Sequence, residues 1–128
     1  MTEEKSHKEG KVEDFMSFRR LQYEQSQWSD ANFGKNTNDS SQSDGAMLKI
    51  GEEVGELFYN YNKYKKNPKD KGKYDQIVDA IGDIIISLAG FCHRSNISLE
   101  DAVTETWKRV SKRDWVEYPL NGGKHLED

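Results

Sequence analysis

Two apolar stretches with helical period, residues 46–58 and 77–92, each enclose a knot of carboxylates, and this combination restricts the folds open to the chain more than anything else in it. The first knot is Glu52, Glu53 and Glu56; the second is Asp79 and Asp83. Apolar residues spaced i, i+3, i+4 call for a helix that buries one face. Carboxylates are rarely buried unless they are paired or bind a metal. Like charges three or four positions apart also repel along an isolated helix, by about 0.2–0.5 kcal/mol per pair. The two helices must therefore turn these acids to water or gather them around a cation. Together they offer four or five oxygen ligands to one hard cation, which suits Mg²⁺ and, through it, phosphate.

The remaining pattern is helical as well. Val12, Phe15, Met16, Phe18, Leu21, Tyr23 and Trp28 recur at helical spacing, predicting a first helix from about Val12 to Ala31 that Asn32-Phe33-Gly34 ends. Lys35 to Ser43, rich in Asn, Ser, Thr and Asp, reads as a surface loop. A second helix is expected from about Asp44 to Lys66, then a loop at Pro68 and Gly72, then a third helix from about Tyr74 to Arg94. The third is apolar nearly all round at its centre, so it is expected to be the central, most buried helix. Ile84-Ile85-Ile86 alone would suit a strand, but the length of the periodic segment decides for helix. Ser98-Leu99-Glu100-Asp101 reads as a capping-box variant opening a fourth helix with the apolar stripe Ala102, Val103, Thr106, Trp107 and Val110. Trp107 is expected in the core. Glycine inside a helix costs about 0.8–1 kcal/mol relative to alanine, so Gly55 and Gly82 suggest close backbone approach between the acidic helices. The expectation is an all-α domain over residues 11–115, most simply a four-helix bundle, with a flexible N-terminus (1–10) and an irregular tail (116–128).

Composition sharpens this. Of 128 residues, 33% are charged and 34% hydrophobic, so a core of two apolar and two amphipathic helices is thin for a monomer and a homo-oligomer is expected. The net charge of −4, with no long Lys/Arg run, argues against nucleic acid as partner; Lys63-Tyr64-Lys65-Lys66 reads as a solvated helix end. A single cysteine, Cys92, excludes an intrachain disulfide, suits a reducing compartment and is expected as a core thiol. The opening Met1-Thr2-Glu3-Glu4-Lys5 is charged rather than signal-like, and no apolar run is read as approaching the ~20 residues of a membrane span. The expectation is a cytoplasmic protein. His7, His93 and His125 are too scattered for a nitrogen-rich metal site, and Glu-x-x-His pairs of the di-iron type are absent. An all-carboxylate site prefers Mg²⁺ or Mn²⁺.

Glu52-Glu53-Val54-Gly55-Glu56 followed by Asp79-Ala80-Ile81-Gly82-Asp83 resembles the MazG-like, all-α nucleoside triphosphate pyrophosphohydrolases, whose signature is Glu-Glu-x-x-Glu on one helix and Glu-x-x-Asp on the next. Ala31-Asn32-Phe33-Gly34, Glu105-Thr106-Trp107, Lys112-Arg113-Asp114-Trp115 and Asn121-Gly122 are similar to the short, single-domain branch, so the resemblance spans about residues 20 to 122. One departure stands out: the glutamate of the second motif falls at Ala80, with Asp79 beside it. Either Asp79 reaches in as the fourth ligand or water fills that position.

The resemblance implies a helical bundle of the MazG and dimeric dUTPase type, forming a homodimer or homotetramer. It also implies Mg²⁺-dependent hydrolysis of a nucleoside triphosphate between the α and β phosphates, giving a monophosphate and pyrophosphate. Glu53, Glu56, Asp79 and Asp83 are then the metal ligands, and Glu52 orients or deprotonates the attacking water. Lys112 and Arg113, with Lys49 as a weaker candidate, meet the phosphates, while Trp28 and Phe33 give the base a surface on which to stack. Trp115 closes the site or packs between subunits, and fourth-helix cations or an aromatic can come from a neighbouring subunit. The alternative is a non-catalytic helical module that binds nucleotide or metal.

Overall fold

The computed structural model describes residues 16–35 and 40–127. The N-terminal segment 1–10, together with Val12 and Phe15 of the expected first helix, lies outside the described residues. So does part of the expected loop, 36–39.

Four α-helices run in order among the described residues: α1 (Phe18–Phe33), α2 (Ser40–Lys66), α3 (Lys71–Arg94) and α4 (Leu99–Val110). Their ends are set by local chemistry. The Ser17 hydroxyl accepts the Arg20 amide at 3.0 Å and caps α1, so Met16, expected inside the first helix, lies before it. Gly34 ends α1 with φ 92°, a conformation that favours glycine, while its N–H donates to the Asp30 carbonyl at 3.0 Å. Asp70 caps α3 by accepting the Lys73 amide at 3.2 Å, so the helix starts three residues before Tyr74 and takes in Gly72. Ser98 caps α4 as its sequence suggests, with Glu100 and Asp101 in the first turn.

The start of α2 differs from the sequence reading. Residues 40–43 belong to the helix rather than the loop. Ser43 donates its hydroxyl to the Arg94 carbonyl at 3.2 Å and lies 3.2 Å from the Ser95 hydroxyl. Polar side chains that look loop-like in isolation are here committed to the far end of α3.

The pairs Ser43 with Ser95, Glu53 with Ser87, and Tyr64 with Tyr74 descend α2 as they climb α3, so the two long helices form an antiparallel hairpin. Helix α3 packs against the other three helices. Helix α4 is tied to the start of α1: the Gln22 amide donates to the Ile97 carbonyl at 2.7 Å and accepts the Leu99 N–H at 2.8 Å, and Arg19 pairs with Glu100 at 2.8 Å. After Val110 the chain runs through turns to a single 3₁₀ turn, Lys124–Leu126.

The core is thin, as the composition suggests. Ala89, Cys92 and Leu99 form its buried cluster, Leu21 packs on them, and among the described residues no large side chain is fully buried. Three sequence expectations need correction. Helix α3 is central but not sealed, because Val78 and Ile81 are about half exposed (53% and 51%). Trp107 is exposed rather than core, since α4 meets the bundle mainly through its first turn and leaves the stripe Ala102, Val103, Thr106, Trp107 and Val110 lining an open apolar groove. A Cβ added to Gly55 or Gly82 would meet nothing within 4 Å, so neither glycine marks a contact within the chain. In addition, an 18-residue window of α3 reaches a mean hydropathy of 1.3 and is, by length and composition alone, apolar enough to cross a membrane. Only 22% of that window is buried within the chain, although α3 contacts the other three helices.

Candidate functional site

A cleft of about 770 Å³ opens between α1, α2 and α3. Its two carboxylates are Glu53 and Asp83, and its cations are Lys49 and Arg94. Glu53 is buried (7% exposed), accepts the Ser87 hydroxyl at 2.6 Å and lies 3.8 Å from the Lys49 ammonium. Asp83, one helix over, lines the same cleft. Burial pushes the Asp83 carboxyl above the ordinary aspartate range, and the negative charges of Asp79 and Glu53 push it further, while Lys49 pulls it back. The hairpin therefore brings one acid from each motif within electrostatic reach of the other.

The other motif acids do not join them. Glu52 and Glu56 are exposed and stand outside the cleft. Asp79 is exposed and lines a separate shallow hollow of about 350 Å³ with Asp75, Gly82 and Asp83. Among the described residues, no three His, Cys, Asp or Glu side chains stand close enough together to hold a metal. Ala80 is buried. Lys49 is the i−4 neighbour of Glu53 and lies 4.0 Å from Glu52, so the acidic run has a cationic partner one turn upstream.

Trp28 and Phe33, five residues apart near the end of α1, line the same cleft. They pack edge to face, with ring centres 5.5 Å apart and planes at 84°, and both are more than half exposed.

Arg94 closes one end, and nothing in sequence reasoning singled it out. Its side chain is 6% exposed. It donates to the Ser29 hydroxyl at 2.6 Å, the Gly34 carbonyl at 3.2 Å and the Gln42 side-chain oxygen at 3.2 Å, and lies 3.6 Å from the Asp30 carboxylate. Asp30 in turn meets His93 Nε2 at 3.1 Å. One guanidinium thus joins the end of α1, the start of α2 and the end of α3. In sequence it is only a basic residue in a last helical turn, which the macrodipole explains without tertiary contact. Gly90 is the glycine that close approach requires, because a Cβ there would lie 2.8 Å from the Gln25 amide nitrogen.

Lys112 and Arg113 line a different cleft, formed by the end of α4 and the tail, where Arg113 pairs with Glu127 at 2.9 Å. Within one chain they are not part of the acidic cleft. Trp115 lies against Gly122 of the same tail, where a Cβ would come within 2.7 Å of its ring. No family model, curated protein or solved structure matches the chain, so the site is read from its own geometry and chemistry.

Proposed function

We propose that the chain is a Mg²⁺-dependent nucleoside triphosphate pyrophosphohydrolase of the MazG-like, all-α type, acting on nucleotides in a reducing cytoplasm. The observation that carries the proposal is that Glu53 and Asp83, one acid from each motif, line a single cleft together with the Trp28–Phe33 ring pair. A metal-phosphate site and an apolar surface for a planar base then lie in one cleft. The resemblance of the two acidic motifs supports the same reading.

The donor set fits Mg²⁺. The ion is commonly held by one or two carboxylates, with waters and substrate phosphates completing its octahedron, so a preassembled cage is not required. Glu53 and Asp83 would hold it, with Asp79 and Glu56 as neighbouring negative charge; Mn²⁺ is the natural substitute. The repulsion at Asp83 is what a divalent cation relieves. When bound, the metal supplies charge neutralisation at the phosphates and fixes their geometry.

The chain's own residues do the rest. Ser87 holds the Glu53 carboxylate by its hydrogen bond, and Lys49 supplies a cation beside the acidic pair. Trp28 and Phe33 stack on the base. Glu52, on the solvent side of Glu53, orients the water that attacks the α phosphorus, and the α–β anhydride bond breaks to release pyrophosphate. A homodimer or homotetramer covers the exposed apolar residues of α2 and α3, and it can place the α4 cations of one copy near the cleft of another.

A non-catalytic binding module is favoured by two observations, the buried Ala80 at the position of the motif glutamate and the absence of a third carboxylate at the pair among the described residues. Purified protein incubated with canonical and modified nucleoside triphosphates, with Mg²⁺ or EDTA, separates the readings. Metal-dependent monophosphate and pyrophosphate, lost in Glu53→Gln, support the hydrolase. Tight nucleotide binding without product supports the module.

A further inference from the structure

The tip of the α2–α3 hairpin carries a dense positive charge that takes no part in the cleft between α1, α2 and α3. Residues 63–73 hold six lysines, Lys63, Lys65, Lys66, Lys69, Lys71 and Lys73, against one carboxylate, Asp70. That segment is therefore +5 in a chain of net charge −4, which leaves −9 on everything else. Asp70 is committed to capping α3, and the next carboxylate along the chain is Asp75. Among the described residues, none of the six lysines forms an ion pair.

The helix macrodipole accounts for only part of this charge. Lys63, Lys65 and Lys66 lie in the last turn of α2, where a cation is favourable. Lys71 and Lys73 open α3, where a cation is unfavourable and the first turn has no acid to balance it. The turn that brings the two sets together is held by its backbone: the Asn67 N–H donates to the Lys63 and Tyr64 carbonyls at 3.2 and 3.1 Å, and the Asp70 N–H to the Asn67 carbonyl at 3.0 Å. Tyrosines interleave the lysines. Lys63 and Lys73, from different helices, both lie over the Tyr59 ring, 5.4 and 5.3 Å from its centre, and Lys65 lies over Tyr61 at 5.2 Å. Tyr64 and Tyr74 meet across the hairpin at 6.0 Å. Tyr59, Tyr61 and Tyr74 are each about half exposed.

We propose that this tip is a docking surface for an anionic lipid bilayer, with the lysines against the headgroup charges and the exposed tyrosines at headgroup level. A compact cluster of this size has the attraction that a juxtamembrane basic segment has for anionic lipid. All six cations are lysine, so they present mobile point charges rather than the arginine forks that read single phosphates, and point charges suit a diffuse charged surface. The rings of Tyr59 and Tyr61 already engage lysine ammonium groups, rather than standing clear as the stacking platforms that a single nucleic-acid strand uses. The same bilayer repels the −9 on the rest of the chain, so the molecule approaches tip first.

The test is co-sedimentation of the full chain with vesicles of equal parts phosphatidylcholine and phosphatidylserine, and with vesicles of phosphatidylcholine alone. Binding is expected only to the anionic vesicles at about 0.15 M salt, and is lost at about 1 M, where the screening length falls to about 3 Å. A Lys65→Gln, Lys66→Gln double variant should partition about 30-fold more weakly, at about fivefold for each lysine at the surface. A Lys108→Gln, Lys124→Gln variant removes the same charge away from the tip and should bind as wild type does. Circular dichroism checks that both variants are folded. No partition to anionic vesicles, equal binding to phosphatidylcholine alone, or equal loss in the two double variants would each overturn the proposal. So would tighter binding of a single-stranded oligonucleotide than of the anionic vesicles at the same salt, which would make the tip a nucleic-acid surface.

Discussion

Replacing Arg94 with alanine tests how the cleft is held open. Its nearly buried guanidinium donates to Ser29, Gly34 and Gln42, at 2.6, 3.2 and 3.2 Å, and faces the Asp30 carboxylate at 3.6 Å. A hydrogen bond to a charged group contributes about 1.5–3 kcal/mol, and removing one partner of a buried ion pair costs about 3–5 kcal/mol. These figures overlap rather than add. Asp30 is also a quarter exposed and keeps its contact with His93, so its charge is not stranded. The expected loss is therefore about 3 kcal/mol, which for a domain of this size lowers Tm by roughly 10–15 °C. Urea unfolding followed by circular dichroism, at one protein concentration, should show the midpoint falling with m unchanged. Arg94→Lys keeps the charge near Asp30, but an ammonium cannot serve acceptors spread over three helices, so it should recover about half the loss. A loss below about 1 kcal/mol for Arg94→Ala, or full recovery with lysine, would refute the view that this side chain clamps α1, α2 and α3 together.

Three further outcomes follow from the same geometry. Asp83→Asn should stabilise the metal-free protein by about 0.2–0.5 kcal/mol for each like-charge pair it relieves, while abolishing Mg²⁺-dependent turnover; a drop in melting temperature by scanning fluorimetry would count against the repulsion. The sign follows from the raised Asp83 carboxyl: its ionisation opposes folding, so the penalty is absent below the unfolded-state pKa and fully present once pH has risen through the folded one. Trp28→Ala should weaken binding of a non-hydrolysable nucleotide by about 5- to 150-fold, from about 1–3 kcal/mol of lost base stacking, with no change in Mg²⁺ affinity measured without nucleotide. Ile81→Glu, at a half-exposed α3 position, should reduce the mass measured by light scattering toward the 14.8 kDa of one chain while leaving the helical signal intact; an unchanged mass would place the subunit interface elsewhere.

What the sequence determined by itself is local. Ser98 caps α4 through a bond to the amide three residues on, and the apolar periodicity of α3 needs no distant partner to be read as helix. The all-helical class and the thinness of the core follow from the same information. What only the tertiary structure decided is which of several equivalent-looking residues meet across helices. Glu52, Glu53 and Glu56 are interchangeable in a motif, yet only Glu53 faces α3 and is buried against Ser87, because the rotation of α2 on its partner admits one of the three. Gly90, rather than Gly55 or Gly82, marks the close contact, since a glycine's helical cost is the same wherever the packing partner lies. The first turn of α2 and the role of Arg94 were equally hidden, for Ser43 and Gln42 bond to residues more than fifty positions away. Periodicity and capping are encoded within a few residues of where they act; rotation, register and long-range hydrogen bonding are settled only when the helices pack.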